Sequence, residues 1–215
     1  MSNEPRRDVI FDIGNVLLFF DFQIFARRIA AECHCSVDEL LPRLEQPVWE
    51  LEARGLQAPE FFRVAAERIG YSGSPEDFIA AWQEIFEPNE PVIRFAGRLK
   101  EAGHRLFLLS NTNPWHAEYF LAQYPVFSLF DDRVFSHEES CAKPEPRIYE
   151  IATKRFGVSP AETIYIDDRL ENIEAGRMAG FRSIHYQGQD LEAAWDWFNG
   201  CRPESVSDLP RSLRE

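Results

Sequence analysis

Thr163-Ile-Tyr-Ile-Asp-Asp-Arg169 is the stretch of sequence that decides the fold. It is an apolar run that ends in two carboxylates, and Val9-Ile-Phe-Asp-Ile-Gly14 repeats the pattern with Asp12. Apolar runs bounded by turn residues are typical of strands buried on both faces of a parallel sheet. Ligands bind at the carboxyl ends of the strands in such sheets. Because carboxylates are costly to bury without a neutralising partner, the two runs predict an α/β sheet with a cation at its edge.

Beyond residue 90 the chain alternates between helical and strand-like segments. After a first strand at 8–12, further strands are expected at 104–110, 134–135, 163–167 and 182–185. Helices are expected at 91–102, 114–124, 146–156, 170–179 and 190–199. Repeated β-then-α units with right-handed crossovers predict a doubly wound parallel sheet.

The segment between the first strand and these units carries helix signals and no strand pattern. Ser36-Val-Asp-Glu39 is a capping box, Pro59 is placed to begin a helix that Gly70 ends, and Ser74-Pro75 begins another. We therefore expect a small helical cap domain inserted into the core. The predicted boundaries are 1–21 and 89–199 for the core, 22–88 for the cap and 200–215 for a tail.

Composition limits the classes of function. A net charge of -13 argues against nucleic acid as a partner. No segment approaches the roughly 18 consecutive apolar residues of a membrane span, and the polar N-terminus shows no secretory signal. We expect no membrane partner and a cytoplasmic location. The cysteines at 33, 35, 141 and 201 form no zinc-type pattern and are expected to be reduced thiols. The oligomeric state stays open.

Four polar segments follow predicted strands and should meet at one edge of the sheet. They are Asp12-Ile-Gly-Asn-Val, Ser110-Asn-Thr-Asn, Lys143-Pro-Glu-Pro and Asp167-Asp168. Together they offer a carboxylate nucleophile, a hydroxyl, a cation and metal ligands, which is the equipment of phosphoryl transfer through an aspartyl-phosphate. Mg²⁺ held by Asp12 and Asp167 would suppress the repulsion between Asp12 and phosphate.

These four segments resemble the motifs of the haloacid dehalogenase superfamily of hydrolases. The matching stretches are Asp12-Ile-Gly-Asn-Val-Leu, Leu108-Leu-Ser-Asn-Thr-Asn, Lys143-Pro-Glu-Pro-Arg-Ile-Tyr and Tyr165-Ile-Asp-Asp. The resemblance extends to about residue 186, and the helical insertion is similar to the type-1 cap on a Rossmann-like core. Within the superfamily, the chain looks most like the bacterial α-D-glucose-1-phosphate phosphatases and the phosphatase domain of soluble epoxide hydrolase.

The resemblance implies a role for each site residue. Asp12 is the implied nucleophile. The implied Mg²⁺ ligands are Asp12, the main-chain carbonyl of Gly14 and Asp167, while Asp168 orders the waters of the metal. Ser110, Asn111 and Lys143 are implied to hold the phosphate, with Ser110 and Lys143 also assisting catalysis.

The chain departs from the pattern at Gly14, where most phosphatases of the superfamily carry a second aspartate as general acid and base. Such help is typically worth about 10²–10⁴-fold in rate. The glucose-1-phosphatase-like group also has Gly-Asn at this place. A leaving group that departs easily, such as an anomeric oxygen, needs less protonation, which favours sugar 1-phosphates. His116 and Asp21 are candidate replacement acids.

The function predicted from the sequence is an Mg²⁺-dependent phosphatase of a small phosphorylated metabolite, such as a sugar phosphate like glucose 1-phosphate. Two alternatives stay open: a non-catalytic protein that binds a phosphorylated metabolite, and a 2-haloacid dehalogenase. The paired Asp167-Asp168 favours phosphate over halide chemistry. Trp49, Glu50, Glu52 and Arg54 are expected in a break between cap helices, either facing the substrate or serving only packing and the surface.

Overall fold

A computed structural model describes residues 7–195 of the chain. The core is a five-stranded sheet with all neighbours parallel, in the order β5-β4-β1-β6-β7. Its strands are β1 (Asp8–Phe11), β4 (Arg105–Ser110), β5 (Asp132–Phe135), β6 (Thr163–Asp167) and β7 (Arg182–His185), while β2 (Leu18–Phe20) and β3 (Phe86–Pro88) pair separately. The predicted parallel α/β sheet is confirmed, and β1 lies in its middle.

The central strands carry continuous runs of hydrophobic residues because both faces of the sheet are buried. Phe11 and Ile166 belong to one hydrophobic cluster, whereas Ile10 and Tyr165 belong to another on the opposite face. All four side chains are 0% exposed. Burial of one such side chain contributes about 1.5–3 kcal/mol. A strand that packs against a hydrophobic cluster on each face cannot alternate apolar with polar residues. This explains the continuous apolar runs visible in the sequence.

Four helices between β2 and β3 form the cap. They are α1 (Phe22–Ile29), α2 (Val37–Ala53), α3 (Ala58–Ile69) and α4 (Pro75–Gln83). Their cluster centres on Trp82, whose ring centroid lies 4.8 Å from that of Phe25 and 5.2 Å from that of Phe61. The capping box predicted at Ser36 begins α2. The domain boundaries 22–88, 1–21 and 89–199 remain our proposal.

Further helices cover both faces of the sheet. They are α5 (Glu90–Glu101), α6 (Pro114–Gln123), α7 (Ser136–Glu139), α8 (Pro146–Phe156) and α9 (Leu170–Met178). Phe95 of α5 and Phe120 of α6 pack on the face that holds Phe11, and Tyr149 of α8 and Ile173 of α9 pack on the other. The sheet is therefore doubly wound, as predicted.

A short antiparallel ribbon joins cap and core, and the sequence did not predict it. Leu18 of β2 pairs with Pro88 of β3, and Phe20 pairs with Phe86. Each strand has only three residues, too few for a period of two to be recognised. Both crossings of the chain between cap and core run through this ribbon.

The break predicted between cap helices near residue 49 is wrong. Helix α2 continues through Pro42 and Pro47 to Ala53. A proline inside a helix removes a hydrogen bond and costs about 3 kcal/mol or more. The buried stripe of Leu40, Leu44 and Leu51 in the cap cluster offsets that cost, so tertiary packing overrides the local signal.

Two further expectations concern the end of the chain. Of the helix predicted at 190–199, the described part holds a 3₁₀ turn at Leu191–Ala194, and the rest lies outside the described residues, as does the tail at 200–215. Within residues 7–195, no helix is long and apolar enough to cross a bilayer.

Candidate active site

Strand register brings three of the predicted site residues to one edge of the sheet. Phe11, at the end of β1, pairs with Leu108 of β4 on one side and with Ile166 of β6 on the other. The next residue, Asp12, donates its main-chain N–H to the carbonyl of Ile166 at 2.9 Å. Asp12 therefore lies between the ends of β4, which finishes at Ser110, and β6, which finishes at Asp167.

Lys143 joins these strand ends from a loop. Its Nζ donates to Asp167 Oδ2 at 2.6 Å and to the carbonyl of Leu109 at 2.8 Å, and lies 2.9 Å from Asp12 Oδ1. The lysine side chain is 1% exposed. Burial lowers the pKa of Lys143, but the carboxylates of Asp12 and Asp167 more than offset it and hold that pKa above its usual value. The ammonium is thus a permanent charge of the site.

Asp167 is held rigidly by neighbours that the sequence analysis did not single out. Tyr165 Oη donates to Asp167 Oδ2 at 2.5 Å, and the Arg169 main-chain N–H donates to Oδ1 at 2.9 Å. Asn172 Nδ2 donates to both oxygens, at 3.0 and 3.2 Å. Asn172 lies in the first turn of α9. In the sequence, the available signal was an amide side chain five positions after Asp167, at the beginning of a predicted helix.

Asp168 is oriented by the loop that follows β1. Asn15 has a left-handed φ of 54°, a conformation that asparagine tolerates better than most residues. Its Nδ2 donates to Asp168 Oδ2 at 3.0 Å. Burial raises the pKa of Asp168, although this hydrogen bond opposes the shift. Sequence analysis missed the role of Asn15, which connects the first and fourth motifs.

The three aspartates fit a divalent cation. Asp12, Asp167 and Asp168 each offer a carboxylate oxygen, and these atoms all lie within 4.8 Å of one another. Opposite ligands of Mg²⁺ are about 4.2 Å apart, so small adjustments would complete the cluster, and Gly14 lines the same cavity. Three carboxylates beside one ammonium leave excess negative charge, and burial raises the pKa of Asp12 despite the opposing Lys143. A hard cation would relieve both effects.

Asn111 fixes Lys143 through the main chain. Its Oδ1 accepts from the Lys143 N–H at 2.8 Å, and its Nδ2 donates to the Lys143 carbonyl at 2.9 Å. Both ends of the amide are therefore engaged in positioning the lysine, although Asn111 also lines the cavity. Ser110 lines it too, and among residues 7–195 its Oγ makes a single long contact, of 3.5 Å with the Asn111 carbonyl. That hydroxyl is available to a ligand.

A side chain at Gly14 would require the ring of Phe20 to move. A Cβ built on Gly14 would lie 2.8 Å from Cε1 of Phe20. Phe20 belongs to the ribbon and its ring lines the cavity. The missing second aspartate is thus accompanied by an aromatic ring that fills its place.

A cavity of about 270 Å³ opens above Asp12 between core and cap. Its core wall includes motif residues described above: Asp12, Gly14, Asn15, Ser110, Asn111, Lys143 and Asp168. Its cap wall includes Phe22, Val48, Trp49 and Glu52, and Phe20 and Phe86 of the ribbon complete the lining. The cavity therefore combines a polar floor with a mainly apolar roof.

Neither of the two acids suggested by the sequence is placed to donate a proton, although His116 lines the cavity. His116 is buried between core and cap, where its Nε2 lies 2.9 Å from the Trp82 carbonyl and its Nδ1 lies 2.8 Å from Asn113 Nδ2. Burial lowers the pKa of His116 to about 3, so the ring is neutral and both nitrogens are occupied. Asp21 caps α1 and pairs with Arg27 at the surface.

Of the four cap residues that the sequence suggested as substrate contacts, the structure places two at the cavity and two elsewhere. Glu52 and Trp49 line the cavity. Within the described residues, Glu50 lies outside the lining and accepts a hydrogen bond from Gln46 at 2.7 Å. Arg54 pairs with Glu145 of the core at 3.0 Å. Two candidates can therefore face a substrate, and Arg54 ties cap to core instead.

These components define a hydrolase class. A carboxylate at a strand end, with a fixed lysine and a cation-binding cluster beside it, can attack an electrophile and form a covalent aspartyl intermediate. The lysine and the cation would carry the negative charge that develops during the attack.

Residues 9–180 match the haloacid dehalogenase-like hydrolase family, and the chain belongs to that family. It is 28% identical over 189 residues to a D-ribitol-5-phosphate phosphatase of Bacteroides thetaiotaomicron, covering 83% of this chain and 90% of that protein. It is also 28% identical to a glyceraldehyde 3-phosphate phosphatase of Methanopyrus kandleri, covering 85% and 83%. A family enzyme from B. thetaiotaomicron, solved with magnesium and inorganic phosphate, superposes with a TM-score of 0.77 at 25% identity, over 86% of this chain and 97% of that one. The family expectation from the sequence is confirmed.

Proposed function

We propose that this protein is an Mg²⁺-dependent phosphatase that hydrolyses a small phosphorylated metabolite through an aspartyl-phosphate on Asp12. The observation that carries the proposal is the buried contact of Lys143 with both Asp12 and Asp167 on the floor of a cavity. The relatives named as phosphatases, and the related structure with magnesium and phosphate, support it.

Each residue of the floor has a defined task in this reaction. Asp12 Oδ2 attacks phosphorus, while Oδ1 stays bound by the Ile13 N–H at 2.7 Å and by Lys143. Lys143 and the Ser110 hydroxyl neutralise and orient the phosphate oxygens. Asn111 keeps Lys143 in place and is the third residue that we assign to the phosphate subsite. Fixed donors of this kind lower the barrier because they need no reorganisation during the reaction.

Asp12, the Gly14 carbonyl and Asp167 would hold Mg²⁺, and Asp168 would order its waters. The ion supplies Lewis-acid stabilisation of the phosphate charge. Asn15 and Asn172 position the two later aspartates. These hydrogen bonds to the metal ligands matter, because removing such a partner typically lowers metal affinity or activity by about 10–100-fold.

The substrate that we propose is a phosphate monoester of a small, sugar-like metabolite. Relatives act on ribitol 5-phosphate and on glyceraldehyde 3-phosphate, as their names state. A cavity of about 270 Å³ is near the lower end of the size range of ligand sites. Sugar 1-phosphates such as glucose 1-phosphate remain the members of this class with the easiest leaving group.

The test is phosphate release from p-nitrophenyl phosphate and from a panel of sugar, polyol and triose phosphates. We expect turnover with Mg²⁺ and none in EDTA, restored by added Mg²⁺. Asp12→Asn should lower kcat by about 10⁴-fold or more, since a weak amide replaces the nucleophile. Failure of the wild type to release phosphate from any panel member with Mg²⁺ would contradict the proposal.

A trapping experiment separates the enzyme from a protein that only binds phosphorylated metabolites. Beryllofluoride with Mg²⁺ should form an adduct on Asp12 that fluorine NMR detects, and Asp12→Asn should not form it. Binding of inorganic phosphate without adduct formation or turnover would instead favour the binding protein. Chloride release from 2-chloropropionate without metal would favour the dehalogenase.

A further inference from the structure

The reaction proposed above needs a proton donor that the floor of the cavity does not supply. When an alkyl phosphate is cleaved, the leaving oxygen is strongly basic and must be protonated. Gly14 has no side chain, and the ring of Phe20 occupies the adjacent space. The donor must therefore come from another wall of the cavity.

The titratable groups that line the cavity in the described part of the chain can be considered in turn. Lys143 keeps its proton, because the carboxylates of Asp12 and Asp167 hold its pKa above the usual value despite its burial. The guanidinium of Arg169 is not among the side chains that serve as general acids. The ring of His116 is neutral and bonded at both nitrogens.

Two carboxyl groups remain besides the nucleophile. Asp168 belongs to the metal cluster and accepts a hydrogen bond from Asn15, so bound Mg²⁺ would keep it ionised. Glu52 is separate from that cluster. It reaches the cavity from the last turn of α2, on the cap wall.

Glu52 is placed for proton transfer by contacts from cap and core. Its Oε1 lies 3.5 Å from Nδ2 of Asn113, which is the last residue of the second motif and the N-cap of α6. Trp49 and Val48 flank it on the same helix as parts of the apolar roof. Glu52 therefore borders the cavity from its cap wall, whereas Asp12 lies on its core wall.

We propose that Glu52 is the general acid and base of this phosphatase, carried by the cap instead of by the core. The inference rests on the proposed function. In the first step Asp12 forms a bond to phosphorus, the bond to the leaving oxygen breaks, and that oxygen takes the proton of Glu52 to leave as an alcohol. In the second step the Glu52 carboxylate takes a proton from water, whose oxygen attacks phosphorus. The Asp12–phosphorus bond then breaks, releasing inorganic phosphate with Glu52 protonated again.

The surroundings of Glu52 suit a group that changes protonation near neutral pH. Burial raises the pKa of Glu52 to about 7, against opposing effects of the Asn113 amide and of the Arg169 guanidinium. Arg169 is the charged group that faces it from the core, at the beginning of α9. General acids work best when their pKa lies near the working pH.

The discriminating experiment compares esters of similar shape but increasing basicity of the leaving oxygen: p-nitrophenyl, phenyl and benzyl phosphate. Glu52→Gln keeps the size and removes the proton. We expect kcat/KM to fall by about 100-fold or more on benzyl phosphate and by less than about 3-fold on p-nitrophenyl phosphate, whose leaving group departs unprotonated. Glu50→Gln, two residues away and outside the cavity lining, should change neither.

The other outcomes overturn the inference. An equal fall on all three esters would assign Glu52 to binding or to cap packing, and no fall on benzyl phosphate would remove it from the mechanism. A wild type that cleaves p-nitrophenyl phosphate but not benzyl phosphate would also count against a working acid. If the wild type cleaves none of the three esters and no member of the substrate panel, the proposed function has failed, which is a separate result.

The pH dependence gives a second signature. In the first step Glu52 must be protonated, so kcat/KM for benzyl phosphate should fall as the pH rises through about 7, and Glu52→Gln should lose this limb. A readout independent of turnover is stability. The folded-state pKa lies above the unfolded value of about 4.3. The wild type should therefore lose stability as the pH rises from about 4.3 to about 7. The stability of Glu52→Gln relative to the wild type should therefore rise over that range.

Discussion

The two walls of the cavity are built on opposite principles. On the core wall, Lys143 is 2% exposed, and Asp167 behind it is 0% exposed; each makes several short hydrogen bonds to strand ends and neighbouring loops. On the cap wall, Trp49 is 40% exposed and Glu52 has one long contact with Asn113. The core wall is thus rigid and fully connected, whereas the cap wall is apolar and only lightly tied.

The difference indicates that the core wall serves the chemical step and the cap wall serves the admission and selection of the substrate. Preorganised charges must be held in place, which demands a buried network whose members depend on one another. A wall that admits and releases a metabolite must instead open, which demands few and weak contacts. Substitutions in the core wall should therefore affect stability and turnover together, and substitutions in the cap wall should affect them separately.

The largest effect is expected for Lys143→Met. Removing one partner from a buried ionic network leaves the carboxylates of Asp12 and Asp167 unpaired, which costs about 3–5 kcal/mol. Urea denaturation at pH 8 in EDTA measures the loss. Lys100→Met is the matched control, because Lys100 pairs with Asp131 at 2.7 Å while 33% exposed, and it should cost less than about 1 kcal/mol.

The same variant predicts a pH dependence with a definite sign. Burial raises the pKa of Asp12 and Lys143 lowers it, so without the ammonium the folded-state pKa rises further above the unfolded value. Stability is then lost as the pH rises between these values, and it should be partly regained when the pH is lowered from 8 to 5.5. A deficit that is the same at both pH values would show that lost packing, not charge, is the cause.

The core wall was the part of the site that the sequence could predict. Asp12 and Asp167 follow apolar runs, and parallel register forces the ends of such runs together. Ser110 and Lys143 lie in the other two polar segments, which also follow predicted strands. Each of these inferences needs only the local period of the chain and the rule that ligands lie at the carboxyl ends of strands.

The cap wall was less predictable because its geometry comes from packing. A break was expected near Trp49, but the apolar stripe of α2 keeps the helix intact through Pro47 to Ala53. The ribbon that places Phe20 over Gly14 is too short for a periodic signal. His116 was a candidate acid, whereas the docked cap buries its ring and both nitrogens have partners. In each case a tertiary contact decides the outcome, and a single sequence does not encode that contact locally.

An intermediate effect is expected for His116→Gln, which tests the junction between the walls. Loss of the contacts with the Trp82 carbonyl and Asn113 should cost about 1–3 kcal/mol. Because the folded-state pKa of His116 is about 3, below the unfolded value of about 6.5, the stability from the neutral ring is present above pH 6.5 and lost as the pH falls. The deficit of the variant should therefore shrink between pH 8 and pH 5.

Turnover provides the sharper half of this test. Since His116 is neutral throughout, the shape of the pH profile of kcat/KM between pH 6 and 9 should be the same in His116→Gln as in the wild type. Loss of a limb would mean that His116 exchanges protons with the substrate after all. His34→Gln, at an exposed position of the cap, should change stability by less than about 0.5 kcal/mol and leave the profile unchanged.

The smallest effect is expected where the cap wall meets the core at the surface. Arg54 pairs with Glu145 at 3.0 Å, but the two side chains are 49% and 35% exposed, so a double-mutant cycle of Arg54→Ala and Glu145→Gln should give about 0.2–1 kcal/mol. Arg54 also lies 5.4 Å from the ring centroid of Trp49, which lines the cavity. Arg54→Ala should therefore raise KM by a few-fold, through a looser Trp49, and leave kcat within about 2-fold. A large fall in kcat would mean that closure of the cap governs the chemical step, and the separation between the walls would not hold.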